Sequence, residues 1–534
     1  EKIDFKCSPD LVHLLYNKLK DENNISRISK VCNAVAKLSY VFVNNKKISD
    51  AQIVDFTFLL LQNNQQFDIP NEIEKELLKK LNPIIESTDD PFFYEDSPSL
   101  CNFFAKLMAY SLISQPVCVS GPTGVGKTSA ARTFARKRPH MSINKSGFQM
   151  HSFHSGTKVS HFFGSTTLLD GKIVFHDGTL TSALKSGLVF IADEFNLSTQ
   201  SVMKSLSLAL DPTIGKNIFI PGVGQIINIS PEFHFIACQN EIGTLGRNAI
   251  PDSIASRFVY IDYPKPEKDD IEKICVDISK ENFNTTEKVF KEDDERLARN
   301  IANFMILLND KKISCIPQWS LRDITKLFKR IYHSNKFKKF MNITPIHHVL
   351  FYTMSAVSAN EIENVIYDVR SILSQSFSLT DDEVNKYIEC YKAVPEIREI
   401  EGQGYYMMKG DKSGISINRI DNILIDKTLP SLWNAIFQVN LSDEKEPILL
   451  MGNSGFKTFL ARQFLSKAQI ITLNQETNVA QLLGTSGFMT KTEAKLFYIS
   501  YICKILQSEF KTNELRQLWE KGKLTKRKLD DMIK

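Results

Sequence analysis

One glycine-rich segment, residues 121–128, constrains the fold of this chain more than any other feature. Its sequence GPTGVGKT fits the pattern G-x-x-x-x-G-K-[ST], between an apolar run that starts at Pro116 and a helix-forming run at residues 129–136. In such a loop the glycines let backbone N–H groups close around phosphate oxygens, and the helix start adds partial positive charge. A glycine turn with a chance lysine is the alternative, but the order of strand, loop and helix favours a phosphate-binding loop in an α/β fold.

The residues of this loop have separate predicted roles. The Lys127 ammonium would reach the outer phosphates of ATP and the Thr128 hydroxyl would ligate Mg²⁺, so the predicted cofactors are ATP and Mg²⁺. The predicted nucleotide-binding residues of the loop are Gly121, Pro122, Thr123, Gly124, Val125, Gly126, Lys127, Thr128 and Ser129.

Two later apolar segments end in polar residues. The first ends in Asp193 and Glu194, and the second, FHFIACQN, ends in Asn240. We predict that Asp193 holds Mg²⁺ together with Thr128, and that Glu194 polarises the attacking water. Asn240 is the predicted catalytic partner that bonds the γ-phosphate or that water. Solvated strand-end acids and an ordinary turn asparagine are the alternatives.

Three arginines are further candidates. Arg257 is the predicted catalytic arginine supplied to a neighbouring nucleotide, with Arg247 as second choice. Such an arginine can raise the rate by about 10³–10⁵, although either residue could instead form a surface ion pair. Arg322 opens an amphipathic run after Pro317, and we predict that it contacts the nucleotide; a solvated position at the helix start is the alternative.

Length and apolar spacing predict several domains. Residues 1–85 and 264–400 have helical spacing, whereas strands alternate with helices over residues 116–263, which predicts a parallel sheet between helices. A second apolar strand at residues 447–451 leads into GNSGFKT, a loop one residue shorter than the first. Because the shortened loop should misplace its N–H groups and Lys457, we expect it to bind nucleotide weakly or not at all.

Composition narrows the class of protein only slightly. The net charge of +5 on 534 residues neither requires nor excludes a nucleic-acid partner. The nine scattered cysteines contain no CxxC pair, which predicts buried thiols in a reducing, intracellular compartment. No apolar run is long enough to cross a membrane. The beginning Glu1-Lys2-Ile3-Asp4 lacks a signal pattern and an initiator Met, so we expect a section of a longer polypeptide.

Four segments together resemble AAA+ ATPases of the midasin and dynein-related branch: GPTGVGKT, FIADEFNLS, FIACQN and GRNAIPDSIASRF. DGKIVFHDG resembles the hairpin that this branch inserts into its second helix, and FIPGVGQII resembles the hairpin before its sensor strand. The resemblance covers residues 116–330 strongly and 430–486 moderately. It implies an ATP-hydrolysing P-loop AAA+ core, with a parallel sheet between helices, and α-helical lid domains.

The resemblance also implies a domain order. Proteins of this branch join several modules in one polypeptide that closes into a ring. Residues 1–90 would then be the lid of an upstream module, with Arg27 in the role of Arg322. Residues 91–263 would be the core, 264–429 its helical lid and a linker, and 430–534 the start of a second module that is degenerate or truncated. The implied partners are further modules of the same polypeptide.

Three functions fit these features. The leading one is a mechanoenzyme that remodels a protein or ribonucleoprotein assembly, as in maturation of the large ribosomal subunit, in the nucleus or nucleolus if midasin-like and otherwise in the cytoplasm. The second is an ATP-holding scaffold with little turnover, as in giant ring-shaped ubiquitin ligases, although the sequence has no RING-like cysteine cluster. The third, DNA translocation, predicts basic hairpins with aromatic residues. The two hairpin segments are poor in Lys and Arg, which argues against direct nucleic-acid binding.

Overall fold

The computed structural model describes residues 8–42, 47–62, 67–81, 97–139, 147–169, 172–210, 217–220, 225–240, 248–284, 292–334, 344–358, 361–392, 396–400 and 404–408, and the single positions Leu449, Ile471 and Leu473. The chain divides into two compact units, Glu1–Leu450 and Met451–Lys534. The predicted second loop at residues 452–458 and Arg247 lie outside the described residues.

A five-stranded parallel sheet forms the centre of the first unit. The strands of this region are β1 (Val117–Gly121), β2 (Phe148–Ser152), β3 (Gly164–Leu169), β4 (Lys172–Asp177), β5 (Val189–Asp193), β6 (Asn217–Ile220), β7 (Gln225–Asn228), β8 (His234–Asn240) and β9 (Val259–Asp262). The sheet has the order β2-β5-β8-β1-β9, and its neighbours pair in parallel. The predicted parallel α/β core is therefore confirmed.

Alternating side chains along these strands enter two apolar clusters, one on each face of the sheet. Val119 and Ile191 belong to one cluster, whereas their neighbours Cys118 and Phe190 belong to the other. Strands that are buried on both faces have near-continuous apolar sequences, as β1 and β5 do. The sheet is thus the middle layer between two layers of helices.

Helices cover both faces of the sheet. They are α1 (Pro9–Leu19), α2 (Ile25–Phe42), α3 (Asp50–Leu61), α4 (Asn71–Lys80), α5 (Pro98–Leu112), α6 (Lys127–Lys137), α7 (Val159–Phe163), α8 (Thr179–Ser186), α9 (Gln200–Ser205) and α10 (Asp252–Ala255). Leu38, Phe56 and Leu77 of the N-terminal helices share one buried cluster with Val119 of the sheet. The N-terminal helices therefore pack on the α/β core through a continuous apolar interior. Their assignment to the lid of an upstream module stays a prediction.

The hairpin predicted at FIPGVGQII is confirmed, whereas DGKIVFHDG contains only the second strand of a hairpin whose first strand, β3, precedes the predicted segment. Strands β3 and β4 pair antiparallel from Gly164↔Asp177 to Leu169↔Lys172, and β6 pairs with β7 from Asn217↔Asn228 to Ile220↔Gln225. The second hairpin buries Ile218 on one face.

A separate helical region follows β9. It contains α11 (Lys268–Asn284), α12 (Glu292–Lys311), α13 (Leu321–Ser334), α14 (Pro345–Met354), α15 (Ile362–Phe377) and α16 (Asp381–Lys392), which share one apolar cluster. We call these helices the lid. Our expectation of helix up to residue 400 is wrong at its end, because β10 (Glu396–Ile400) pairs antiparallel with β11 (Gly404–Met408). The β-branched and aromatic residues of EIREI and GYYMM favour strands.

Two predictions from composition can be compared with the described part of the chain. None of its helices is long and apolar enough to cross a membrane. Its described cysteines are free thiols, of which Cys101, Cys118, Cys238 and Cys275 are buried.

Candidate functional site

The glycine-rich loop joins β1 to α6, as predicted. Gly124 and Gly126 have φ angles of +79° and +106°, which side-chain-bearing residues rarely adopt. Gly126 precedes the first turn of α6, and its carbonyl accepts a hydrogen bond of 2.9 Å from the Ala130 N–H. The loop therefore ends at a helix N-terminus, where the N–H groups of the first turn have no partner within the helix.

Lys127 is the first residue of α6, and only 6% of it is exposed. Its Nζ donates to the Gly121 carbonyl at 2.7 Å, to the Pro122 carbonyl, and to Asn240 Oδ1 at 2.7 Å. These acceptors are neutral oxygens. An anionic phosphate oxygen is a stronger partner for a buried ammonium than a neutral carbonyl.

Asn240 connects the lysine to the predicted water-activating acid. Its Nδ2 donates to Glu194 Oε1 at 2.8 Å and to Oε2 at 2.9 Å. The chain Lys127–Asn240–Glu194 therefore brings together three residues that sequence reasoning assigned to one reaction.

Glu194 has an unusual backbone conformation. Its φ of 51° and ψ of 38° lie in the left-handed region, which is uncommon for residues other than glycine. The 3₁₀ turn Phe195–Leu197 follows directly, and the buried Phe195 ring packs edge-on against Phe153 and Phe258, at 5.7 Å in each case. The turn that follows Glu194 is therefore packed into the apolar interior through Phe195.

Thr128 and Asp193 form the predicted metal pair. The Thr128 Oγ1 hydroxyl donates to Asp193 Oδ1 at 2.7 Å. Hydroxyl and carboxylate oxygens are the hard ligands that Mg²⁺ accepts alongside substrate phosphates and water. In the described ranges no three His, Cys, Asp or Glu side chains converge on a metal position. The pair therefore suits a cation that is carried largely by a phosphate ligand.

These residues line one cleft of about 220 Å³. Its walls are Thr123, Gly124, Gly126, Lys127, Thr128, Ser129, Asp193, Glu194, Cys238, Gln239, Asn240, Leu321, Arg322 and Thr325. Sequence reasoning missed Cys238 and Gln239, although both directly precede Asn240 in the same strand, and it missed Leu321 and Thr325, which flank Arg322 on α13.

Burial, with the nearby Asp193 carboxylate, raises the pKa of the Cys238 thiol, so the thiol stays protonated and is no nucleophile.

The lid contributes one wall of the cleft. Arg322 is exposed at the rim. A Cβ atom built on Gly124 would lie 2.6 Å from the Cβ of Ser320, so the residue before α13 lies directly against the glycine-rich loop. Ser320 is held there because its N–H and Oγ donate to Asp323 Oδ2 at 2.8 and 2.7 Å.

Arg257 does not line this cleft. Its Nη1 donates to the Ser207 carbonyl at 2.9 Å and its Nε to the Ser253 carbonyl at 3.1 Å. The placement agrees with an arginine that serves another nucleotide site, and that role stays a prediction.

Comparison with known proteins shows which family the residues around this cleft are similar to. The stretch from Pro116 to Phe258 matches the family model of the AAA domain, dynein-related subfamily. These residues form an AAA domain of that subfamily. The AAA domain thus contains β1 to β8, the cleft acids, Asn240 and Arg257, whereas Arg322 and the lid lie beyond it. AAA domains are ATPase-type modules in general.

Three relatives illustrate the similarity. The midasin of Giardia intestinalis is 26% identical over 219 residues, which are 40% of this chain and 4% of that protein. The midasin of Dictyostelium discoideum is 29% identical over 188 residues, which are 34% of this chain and 3% of that protein. An uncharacterized protein of Staphylococcus epidermidis (strain ATCC 12228) is 29% identical over 207 residues, 38% of this chain and 71% of its own length. The chain is therefore similar to a small part of each midasin.

Proposed function

We propose that the chain binds ATP with Mg²⁺ in the cleft and hydrolyses it. The observation that carries this proposal is the buried network in which Lys127 donates to Asn240 and Asn240 donates to both oxygens of Glu194. The network supports the proposal because one hydrogen-bonded chain contains an ammonium, an amide and a carboxylate, the groups that would bind the outer phosphates, bond the γ-phosphate or the water, and accept the proton of that water.

Binding of ATP would exchange the partners of the lysine. The Lys127 ammonium would leave the Gly121 and Asn240 oxygens for phosphate oxygens, because charge-assisted hydrogen bonds are stronger than those to neutral acceptors. Gly121, Pro122, Thr123, Gly124, Val125, Gly126 and Ser129 would supply the backbone cradle and its flanks. Thr128 and Asp193 would hold Mg²⁺, which stabilises negative charge on the phosphates when bound.

Hydrolysis would use the other end of the network. Glu194 would orient a water molecule and accept its proton as the water oxygen attacks the γ-phosphorus, while the bond from that phosphorus to the bridging oxygen breaks and ADP leaves. Asn240 would hold Glu194 and bond the γ-phosphate or the water. Arg322 would approach the nucleotide from the lid, and Arg257 would act on the site of a neighbouring module.

We further propose that the chain is one section of a ring of AAA+ modules that remodels a protein or ribonucleoprotein assembly, with residues 1–90 as the lid of the preceding module and residues 430–534 as the start of the next. The similarity to two midasins supports this, and a pre-ribosomal substrate in the nucleus would follow from it by resemblance. A scaffold that binds ATP with little turnover is the alternative.

The Glu194→Gln variant tests the proposed chemistry. Glutamine keeps the size of the side chain but cannot accept a proton, so we expect ATP affinity within about twofold of wild type and a turnover that falls by about 10²–10⁴-fold. Calorimetry would give the affinity, and phosphate release the rate. Glu267→Gln, an exposed acid outside the cleft, is the control and should turn over ATP normally.

Two results would contradict parts of this proposal, one concerning the role of Glu194 and one concerning ATP turnover. Equal turnover of wild type and Glu194→Gln would show that another residue handles the water. A wild-type chain that binds ATP tightly and scarcely hydrolyses it would favour the scaffold.

A further inference from the structure

The ends of β5 and β8 carry Glu194 and Asn240, but the sheet does not hold those ends together. The register between the two strands ends at the pair Ala192↔Ala237. Beyond that pair, β8 continues alongside β1 as far as Gly121↔Asn240, whereas β5 continues alongside β2 as far as Ser152↔Asp193. The two strand ends that carry the proposed catalytic groups are therefore each paired on their outer side and have no ladder between them.

Besides the bonds between Asn240 Nδ2 and the Glu194 carboxylate, a buried asparagine side chain spans this gap. Asn196, in the turn after Glu194, is fully buried (0% exposed), and its Nδ2 donates to the main-chain carbonyl of Asn240 at 3.0 Å. The bond joins the turn that aims Glu194 to the backbone of the residue whose amide binds the Glu194 carboxylate. It takes the place of the missing ladder.

The same turn is hydrogen-bonded to Asn248, which follows β8 in the sequence. The Asn196 carbonyl accepts a hydrogen bond of 2.8 Å from the Asn248 N–H, and Asn248 Nδ2 donates to the Ser198 carbonyl at 2.9 Å. Ser198 is also fully buried, and its Oγ donates back to the Phe195 carbonyl at 2.8 Å. The turn is thereby cross-linked on several sides, and Asn196 is its link to Asn240.

We propose that Asn196 is a positioning residue for ATP hydrolysis: its side-chain amide sets the distance between Glu194 and Asn240 by holding the Asn240 main chain. This inference rests on the proposed function of the cleft. Asn196 lies outside the cleft lining, so it acts through Asn240 and Glu194 and does not contact the nucleotide. Losing it should therefore slow the chemical step and leave the binding of ADP nearly unchanged.

The Asn196→Asp variant is the sharpest test. The two side chains have the same shape, but a carboxylate would set an anionic oxygen against the Asn240 carbonyl, where the amide donates. We expect turnover at pH 8 to fall by roughly 10- to 100-fold, from the lost bond and the unpaired buried acceptor. We expect the affinity for ADP to stay within about twofold of wild type.

The pH profile distinguishes positioning from a general structural defect. A buried carboxyl group has a raised pKa, and once protonated its O–H can donate to the Asn240 carbonyl as the amide does. The turnover of Asn196→Asp relative to wild type should therefore recover as the pH falls from 8 to 6. Asn196→Ala, which lacks any donor, should show the loss without the recovery, and it also serves if the aspartate variant fails to fold.

Two further comparisons complete the experiment. Asn248→Ala removes a neighbouring side-chain bond to Ser198 and keeps the Asn196 bond to Asn240, so its turnover should stay within about twofold of wild type. In an Asn240→Ala background, which lacks the positioned amide, adding Asn196→Asp should lower ATP turnover by no more than a further factor of about two.

The results separate the inference from the function on which it rests. Wild-type turnover in Asn196→Ala, or a loss of turnover in Asn196→Asp matched by an equal loss of ADP affinity with no recovery at low pH, would overturn the role of Asn196 alone. A wild-type chain that does not hydrolyse ATP would overturn the proposed function, and the role of Asn196 with it.

Discussion

The α/β core and the lid meet at one cleft, but they contribute side chains of different kinds. The core contributes Lys127 and Asn240, which are almost fully buried and hydrogen-bonded to each other. The lid contributes Arg322, which is exposed at the rim. Electrostatic interactions are strong where water is excluded and weak at an exposed surface. If the cleft binds ATP as proposed, we expect the core to determine whether the nucleotide binds and reacts, and the lid to adjust the affinity.

Removal of the core lysine should have the largest effect. We expect Lys127→Ala to raise the Kd for ATP by at least about 100-fold, because several charge-assisted hydrogen bonds to phosphate would be lost. Calorimetry on the purified chain would measure this. Lys204→Ala, an exposed lysine on α9 outside the cleft, should bind as wild type does. An unchanged Kd for Lys127→Ala would remove the basis for ranking the core above the lid.

Acid should destabilise the lid through a buried histidine. Burial, with Arg330 and His347 nearby, lowers the pKa of His348 to about 3. Between the unfolded value of about 6.5 and that folded value the unfolded chain binds the extra proton, so the free energy of unfolding falls as the pH falls. Between pH 7 and pH 5, protonation of this histidine in the unfolded chain should lower the free energy of unfolding by about 2 kcal/mol.

The core should respond in the same direction, because burial lowers the pKa of His234 as well. Urea unfolding at pH 7 and pH 5 measures the effect for the lid. Over this pH range the free energy of unfolding of His348→Gln should fall by about 2 kcal/mol less than that of wild type. The free energy of unfolding of His13→Gln, a change at an exposed position, should fall as much as that of wild type. Equal losses in all three proteins would show that the lid histidine does not titrate as described.

The rim arginine should have a modest effect. Because Arg322 is exposed, we expect Arg322→Ala to weaken ATP binding about two- to fivefold, as is usual for exposed charge interactions. Lys326→Ala, on the same helix but outside the cleft, is the matched control. A loss as large as that of Lys127→Ala would mean that the lid closes over the nucleotide and buries the arginine.

The smallest effect is expected for Arg257. Because it does not line the cleft, Arg257→Ala should leave both ATP affinity and turnover of the isolated chain within about twofold of wild type. In a polypeptide that also contains the preceding module, the same change should slow hydrolysis at that module's site. A direct contact between Arg257 and nucleotide bound at Lys127 would contradict both the role and the proposed ring.

Much of the core could be predicted from local sequence. The glycine loop, the strand that ends in Asp193 and the strand that ends in Asn240 are each short segments whose apolar pattern and terminal residues are visible without a fold. For the N-terminal helices, apolar spacing correctly predicted the secondary structure. It could not predict that Leu38 and Phe56 share a buried cluster with Val119, because spacing does not encode the packing between segments.

The sequence by itself determined the chemical groups of the site and their place at strand and helix ends, because periodicity and turn chemistry are local properties. The tertiary structure decided which of these groups meet. Lys127 reaches Asn240 across 113 positions and Thr128 reaches Asp193 across 65, because the strand order β2-β5-β8-β1-β9 makes β1 and β5 the neighbours of β8. The bond from Asn196 to Asn240 likewise exists only once both strands are in place. The segment FIADEFNLS contains that asparagine, but its sequence does not reveal the bond, which depends on a gap between two strands that forms on folding.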